Sequence, residues 1–103
     1  MKIKFEHLEV FMTLDKNQCQ VVNARKQIAN IIYSQGAGFG LAGQALAVKM
    51  WNGNDDTEYT DDEVKIIKEL VERTTAPCFI DAVNAAISNA VSADEKKISN
   101  NII

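Results

Sequence analysis

Residues 3–14 read Ile3-Lys4-Phe5-Glu6-His7-Leu8-Glu9-Val10-Phe11-Met12-Thr13-Leu14. Ile3 and Phe5 alternate with charged residues, and so do Leu8, Val10, Met12 and Leu14 with their neighbours, but the two series are out of phase. Period two is the pattern of a half-buried strand. A β-bulge near His7 would repair the phase. Leu14-Asp15-Lys16-Asn17-Gln18 then makes a polar turn, and Gln18-Cys19-Gln20-Val21-Val22 can return as a second strand. A rival reading starts a helix at Asp15 with Gln18 as its capping partner. The β-branched pair Val21-Val22 and the better N-cap at Asn23 favour the hairpin.

From Asn23 the period becomes helical. Ala24, Ile28, Ile31 and Ile32 share a face, with Arg25, Lys26 and Asn30 placed elsewhere. The helix is expected to end near Ser34-Gln35-Gly36. A glycine-rich link, Gly36 to Gly40, leads into a second helix from about Leu41 to Trp51, stopped by Asn52-Gly53-Asn54. An acidic loop follows. Thr60-Asp61-Asp62-Glu63 is a capping box, and the helix it opens puts Val64, Ile67, Leu70 and Val71 on one face. Thr75-Ala76-Pro77 breaks that helix, because the residue before proline avoids the α region. A last helix over about 78–91 buries Phe79, Ile80, Val83, Ala86 and Ile87. The fold class expected is therefore α+β: an N-terminal β-hairpin with three to four α-helices packed on it. Residues 1–91 form the single domain and 92–103 a polar, mobile C-terminal tail. A lone hairpin is marginal in water, so its edges are either covered by helices or paired with another copy.

Bulk composition narrows the function classes. The chain has 103 residues, 47% hydrophobic and 24% charged, as expected of one globular domain. Net charge is −3, and no basic stripe interleaved with aromatics occurs, which argues against a nucleic-acid binder. No apolar run approaches a membrane span. The start of the chain has no signal-peptide core, and two cysteines, Cys19 and Cys78, suit a reducing compartment. A cytoplasmic protein with free, buried thiols is expected.

Four constellations carry candidate chemistry. Asn52 to Glu63 has the length and flanking helices of an EF-hand loop, with Asn54, Asp56, Glu58 and Glu63 as candidate Ca2+ ligands and Thr60 at the ninth position. Asn52 stands where an aspartate is usual, and Thr57 where a glycine makes the sharp turn. A helix cap explains the same residues. Gly38-Phe39-Gly40-Leu41-Ala42-Gly43 is a literal GxGxxG, the basis of an alternative nucleotide or ligand site on the Gly36–Gly43 link. The fingerprint needs a preceding strand, whereas Ala29 to Tyr33 reads as helix; close helix packing at Gly43 and Ala47 explains it better. His7 is the only histidine, and pairing with a cysteine thiol is formally possible. Lastly, Asp55, Asp56, Glu58, Asp61, Asp62 and Glu63 put six carboxylates in nine residues. Trp51 and Tyr59 flank them. An exposed aromatic beside a charged rim is a partner-binding hot spot, so Trp51, Asp55, Asp56, Glu58 and Tyr59 are the expected contact residues.

The strand pair, the helices carrying Ala29-Asn30-Ile31-Ile32-Tyr33 and Ala45-Leu46-Ala47-Val48-Lys49, and the capping-box helix occur in an order that resembles small uncharacterised bacteriophage and mobile-element proteins. The resemblance covers about residues 3–88 and implies an accessory protein. The expected function is a non-enzymatic protein-interaction module, oligomeric, needing no cofactor and binding a protein partner rather than nucleic acid or membrane.

Overall fold

The computed structural model describes the backbone of residues 1–102 and the side chains of residues 1–93. The hairpin and the helices lie in the expected order. A 3-10 turn, η1 (Phe5–His7), precedes β1 (Leu8–Phe11) and β2 (Cys19–Val22). The helices are α1 (Arg25–Gln35), α2 (Gly40–Trp51), α3 (Asp61–Thr74) and α4 (Pro77–Ile102), with a second 3-10 turn, η2 (Ala37–Phe39), between α1 and α2. Among the described residues no helix is long and apolar enough to cross a membrane.

The phase change near His7 is resolved by η1, not by a bulge. A 3-10 turn tightens the chain and lets Phe5 and Leu8 point the same way, so both are buried. β1 and β2 pair antiparallel, with Leu8 opposite Val22 and Val10 opposite Gln20. Leu8 and Val10 face the interior, and β1 packs on α4. Beyond this the hairpin projects: residues 12–21 are all exposed, including Cys19, which had been expected inside.

Helix α1 packs against α2 and α3, and α3 against α4. Each brings a stripe at helical spacing: Ile28, Ala29 and Ile32 from α1; Leu46, Ala47 and Met50 from α2; Val64, Ile67, Leu70 and Val71 from α3; Val83 and Ile87 from α4. Burying each of the larger side chains contributes about 1.5–3 kcal/mol before entropy is counted. Gly43 sits where α2 crosses α1. A Cβ there would lie 3.1 Å from Phe39 Cβ and 3.9 Å from Ile32 Cγ2. Gly40, with φ +55°, makes the turn from η2 into α2 in a backbone region that other residues rarely adopt.

Two helix starts differ in quality. The capping box is formed: Thr60 Oγ1 accepts the Glu63 N–H at 3.2 Å, and Glu63 Oε1 accepts the Thr60 N–H at 2.8 Å. Asn23, by contrast, does not cap α1. The N-cap is Ala24, whose methyl side chain can make no cap bond; its N–H donates to Phe5 O at 2.8 Å and ties the helix start to η1. The last helix does not end near residue 91 but continues as backbone to Ile102. The expected tail, 92–103, falls outside the described side chains from residue 94 onward.

Candidate functional site

Arg25 departs most from expectation. It opens α1 at the i position of the stripe continued by Ile28, Ala29 and Ile32, and is 8% exposed. Its Nη1 donates to Met50 O at 2.5 Å and to Trp51 O at 2.7 Å, while Nε donates to Glu6 Oε1 at 2.9 Å. The guanidinium thus donates to two carbonyls of the last turn of α2, of which Met50 O also accepts the Gly53 N–H at 3.2 Å, and its charge sits at the negative end of that helix. It also fixes where Trp51 leaves the helix.

Trp51 itself is 45% exposed, and the Lys26 ammonium stands over its ring, 4.7 Å from the centroid. Beside it on α2 is Val48, and across from it on α1 is Tyr33, 51% and 71% exposed. Between these walls, Ala29 and Ala47 form the floor of a shallow depression of about 210 Å³. Two small residues facing each other across a helix pair leave room for an incoming side chain, and the aromatic walls supply stiff apolar surface.

Tyr59 does not belong to this surface. It is 2% exposed, with its ring edge-on to Phe5 at 5.7 Å between centroids. Backbone pairing draws it inward: its N–H donates to Met1 O at 2.8 Å, and Lys2 forms an isolated bridge with Glu58. The chain is locally extended here, so Glu58 faces out and Tyr59 in. Its hydroxyl finds no hydrogen-bond partner among the described residues, and burial pushes its pKa up to about 12.

The acidic loop is divided in the same way. Asp55 is half-buried and occupied: its Oδ2 lies 2.9 Å from His7 Nδ1, and its Oδ1 accepts the Glu6 N–H at 3.1 Å. Asp56 remains exposed, and Glu58, also exposed, pairs its Oε2 with the Met1 ammonium at 3.0 Å. Asn54 Oδ1 accepts the Asp56 N–H at 2.7 Å, and Thr57 Oγ1 accepts the Asn54 N–H at 2.9 Å. Glu63 Oε1 takes the Lys49 ammonium at 2.8 Å besides its cap bond. Burial would raise this carboxyl's pKa, but Lys49 and the Thr60 N–H outweigh it and hold it below the ordinary value. Asp56, Glu58 and Glu63 do not converge: among the described residues no group of three His, Cys, Asp or Glu side chains could hold a metal ion. Of the expected calcium ligands, Asn54 holds the turn, Glu63 caps α3 and Glu58 pairs with the Met1 ammonium.

The glycine link joins two helices, so the strand–turn–helix setting of a dinucleotide fingerprint is missing. An open groove of about 800 Å³ runs between the hairpin and α4. Lys2, Lys4 and Lys16 line it together with Glu9, Asp81 and the alanines of α4. His7 and Cys78 also line it, but the contact His7 makes is to Asp55. No protein-family model, curated protein or solved structure matches this chain.

Proposed function

We propose that this chain is a non-enzymatic interaction module that binds a protein partner through the exposed α1–α2 surface of Tyr33, Val48 and Trp51. The carrying observation is that depression: an alanine floor, aliphatic and aromatic walls, and a tryptophan steadied by Lys26. Tryptophan and tyrosine supply much of the energy at protein interfaces, and apolar side chains grouped on adjacent helices mark such sites. A partner helix presenting one large apolar side chain fits this shape. Asp56, exposed on the loop that follows α2, adds negative charge that favours a basic partner surface. The order of elements that resembles phage and mobile-element proteins suggests an accessory role, and the marginal two-stranded hairpin suggests self-association.

The test is quantitative affinity capture from cells that express the protein. Val48→Asp and Tyr33→Ser change exposed positions and leave the fold intact. Each is expected to reduce the captured partner by about 10- to 100-fold, the effect of losing one hot-spot contact. Lys65→Glu, on the solvent face of α3, is the control. Equal capture by the wild type and the α1–α2 variants would remove this surface from the account.

A further inference from the structure

Strand β2 has a partner on one side only: among the described residues the sheet contains β1 and β2 alone. The Met12 N–H donates to Gln18 O at 2.8 Å, and Val10 stands opposite Gln20. In an antiparallel ladder this alternation turns the backbone groups of Gln18, Gln20 and Val22 toward β1, and those of Cys19 and Val21 away from it. The outward edge lies in solvent, since Gln18 to Val21 are all exposed. Proteins normally guard such an edge with charge, proline or a covering element. Here Asn17-Gln18-Cys19-Gln20-Val21-Val22-Asn23 contains neither charge nor proline.

We infer that β2 is a homodimerisation edge, pairing antiparallel with β2 of a second copy about a two-fold axis at Gln20. This rests on reading the chain as an interaction module, but it uses a surface separate from Trp51. The occupant follows from self-complementarity. With Gln20 opposite its own copy, Cys19 faces Val21 of the other chain, and Val21 faces Cys19. Those are the two residues whose N–H and C=O groups point outward, so four backbone hydrogen bonds close and none is left over. The uncharged run extends three residues either side of Gln20, so no like charges meet. Val21, 63% exposed in the single chain, gains apolar cover from the copy's Cys19. Its own Phe11 lies on the same face of the sheet, because Glu9 pairs with Val21 and Phe11 with Cys19. The product is a four-stranded sheet, a size that stands by itself where a hairpin does not.

The register makes the test specific. Directly opposed residues outside the hydrogen-bonded pairs have Cα atoms about 4.5 Å apart, within reach of a disulfide. In a Cys19→Ser, Cys78→Ser background, Gln20→Cys is expected to cross-link under mild oxidation at least about tenfold faster than Ser34→Cys, an exposed α1 control, because pairing raises the local thiol concentration. Val21→Pro removes an outward N–H and leaves the bonds to β1 in place. Sedimentation is expected to give the wild type twice the 11.4 kDa chain mass and Val21→Pro the single mass. A wild-type monomer, a doubled Val21→Pro, or Gln20→Cys no faster than the control would overturn the inference. A dimer that Val48→Asp dissociates and Val21→Pro does not would overturn it too, while leaving the α1–α2 contact surface standing.

Discussion

Replacing Arg25 with methionine should be the most damaging single change at the surface-to-core boundary. Methionine keeps most of the side-chain volume, so the loss is one of hydrogen bonds and charge rather than of packing. The Met50 carbonyl is buried and loses a donor at 2.5 Å; the Trp51 carbonyl, partly buried, loses one at 2.7 Å. The Met50 carbonyl keeps the Gly53 N–H at 3.2 Å, so the loss there is one charged hydrogen bond of about 1.5–3 kcal/mol, while the Trp51 carbonyl is left without this donor at a cost of about 1–3 kcal/mol less what water restores. The Glu6 side chain is 26% exposed, so water recovers part of what its 2.9 Å ion pair loses. We expect Arg25→Met to cost about 3 kcal/mol, Glu6→Gln about 1 kcal/mol, and the double variant little more than Arg25→Met alone, since both act on one network. In a domain of this size, about 3 kcal/mol is roughly 12–24 °C in Tm. Urea unfolding followed by far-UV circular dichroism and by Trp51 fluorescence measures it. Arg25→Lys should recover only part of the loss, because one ammonium cannot span three acceptors in the fork geometry of a guanidinium. A cost below about 1 kcal/mol for Arg25→Met would mean that water reaches both carbonyls, and the claim that Arg25 closes the end of α2 would fail.

Two further outcomes follow from buried or capped groups. Tyr59→Phe should be neutral or stabilising by up to about 1 kcal/mol, since it removes a buried hydroxyl without a partner; a clear loss in thermal unfolding would show that the hydroxyl is satisfied. The same burial sets an alkaline limit. The phenol's pKa is raised from 10.0 to about 12, so its contribution is complete below the unfolded value and lost as pH rises through the folded one, and Tyr59→Phe should flatten that decline. Glu63 behaves in the opposite sense. Its pKa is lowered by Lys49 and Thr60 despite burial, so its contribution is present above the unfolded carboxylate value and lost as pH falls through the folded one. Glu63→Gln should cost about 1 kcal/mol at neutral pH, and the difference from wild type should shrink in acid; a difference independent of pH would rule out the charged cap.

Much of this architecture is legible in the sequence because its signals are local. The alternation in Leu8 to Phe11, the four residues of the capping box and the break at Pro77 each lie within one turn or strand. Arg25 escapes a reading of the α1 stripe by apolar residues alone, although positions 25, 28, 29 and 32 are spaced as one face. Its acceptors come from residue 6 and from residues 50 and 51, and no local pattern brings them together. Tyr59 was misplaced for a related reason. Its acidic neighbours suggested a solvated loop, while the bridge from Lys2 to Glu58 imposes strand-like alternation from far along the chain. The depression beside Trp51 was missed because Tyr33 and Val48 belong to different helices and adjoin only once α1 and α2 pack.

The pairing of the first residues with the segment around Tyr59 carries a kinetic consequence. The bond from the Met1 amino group to Tyr59 O spans 58 positions, and closing so long a loop costs entropy that few contacts there offset at once. Neighbouring helices α1 and α2, joined by four residues from Gly36 to Phe39, can meet far sooner. Phe5 and Tyr59 therefore lock together after the helices have assembled. The seam they share is thus the expected late step in closing the fold.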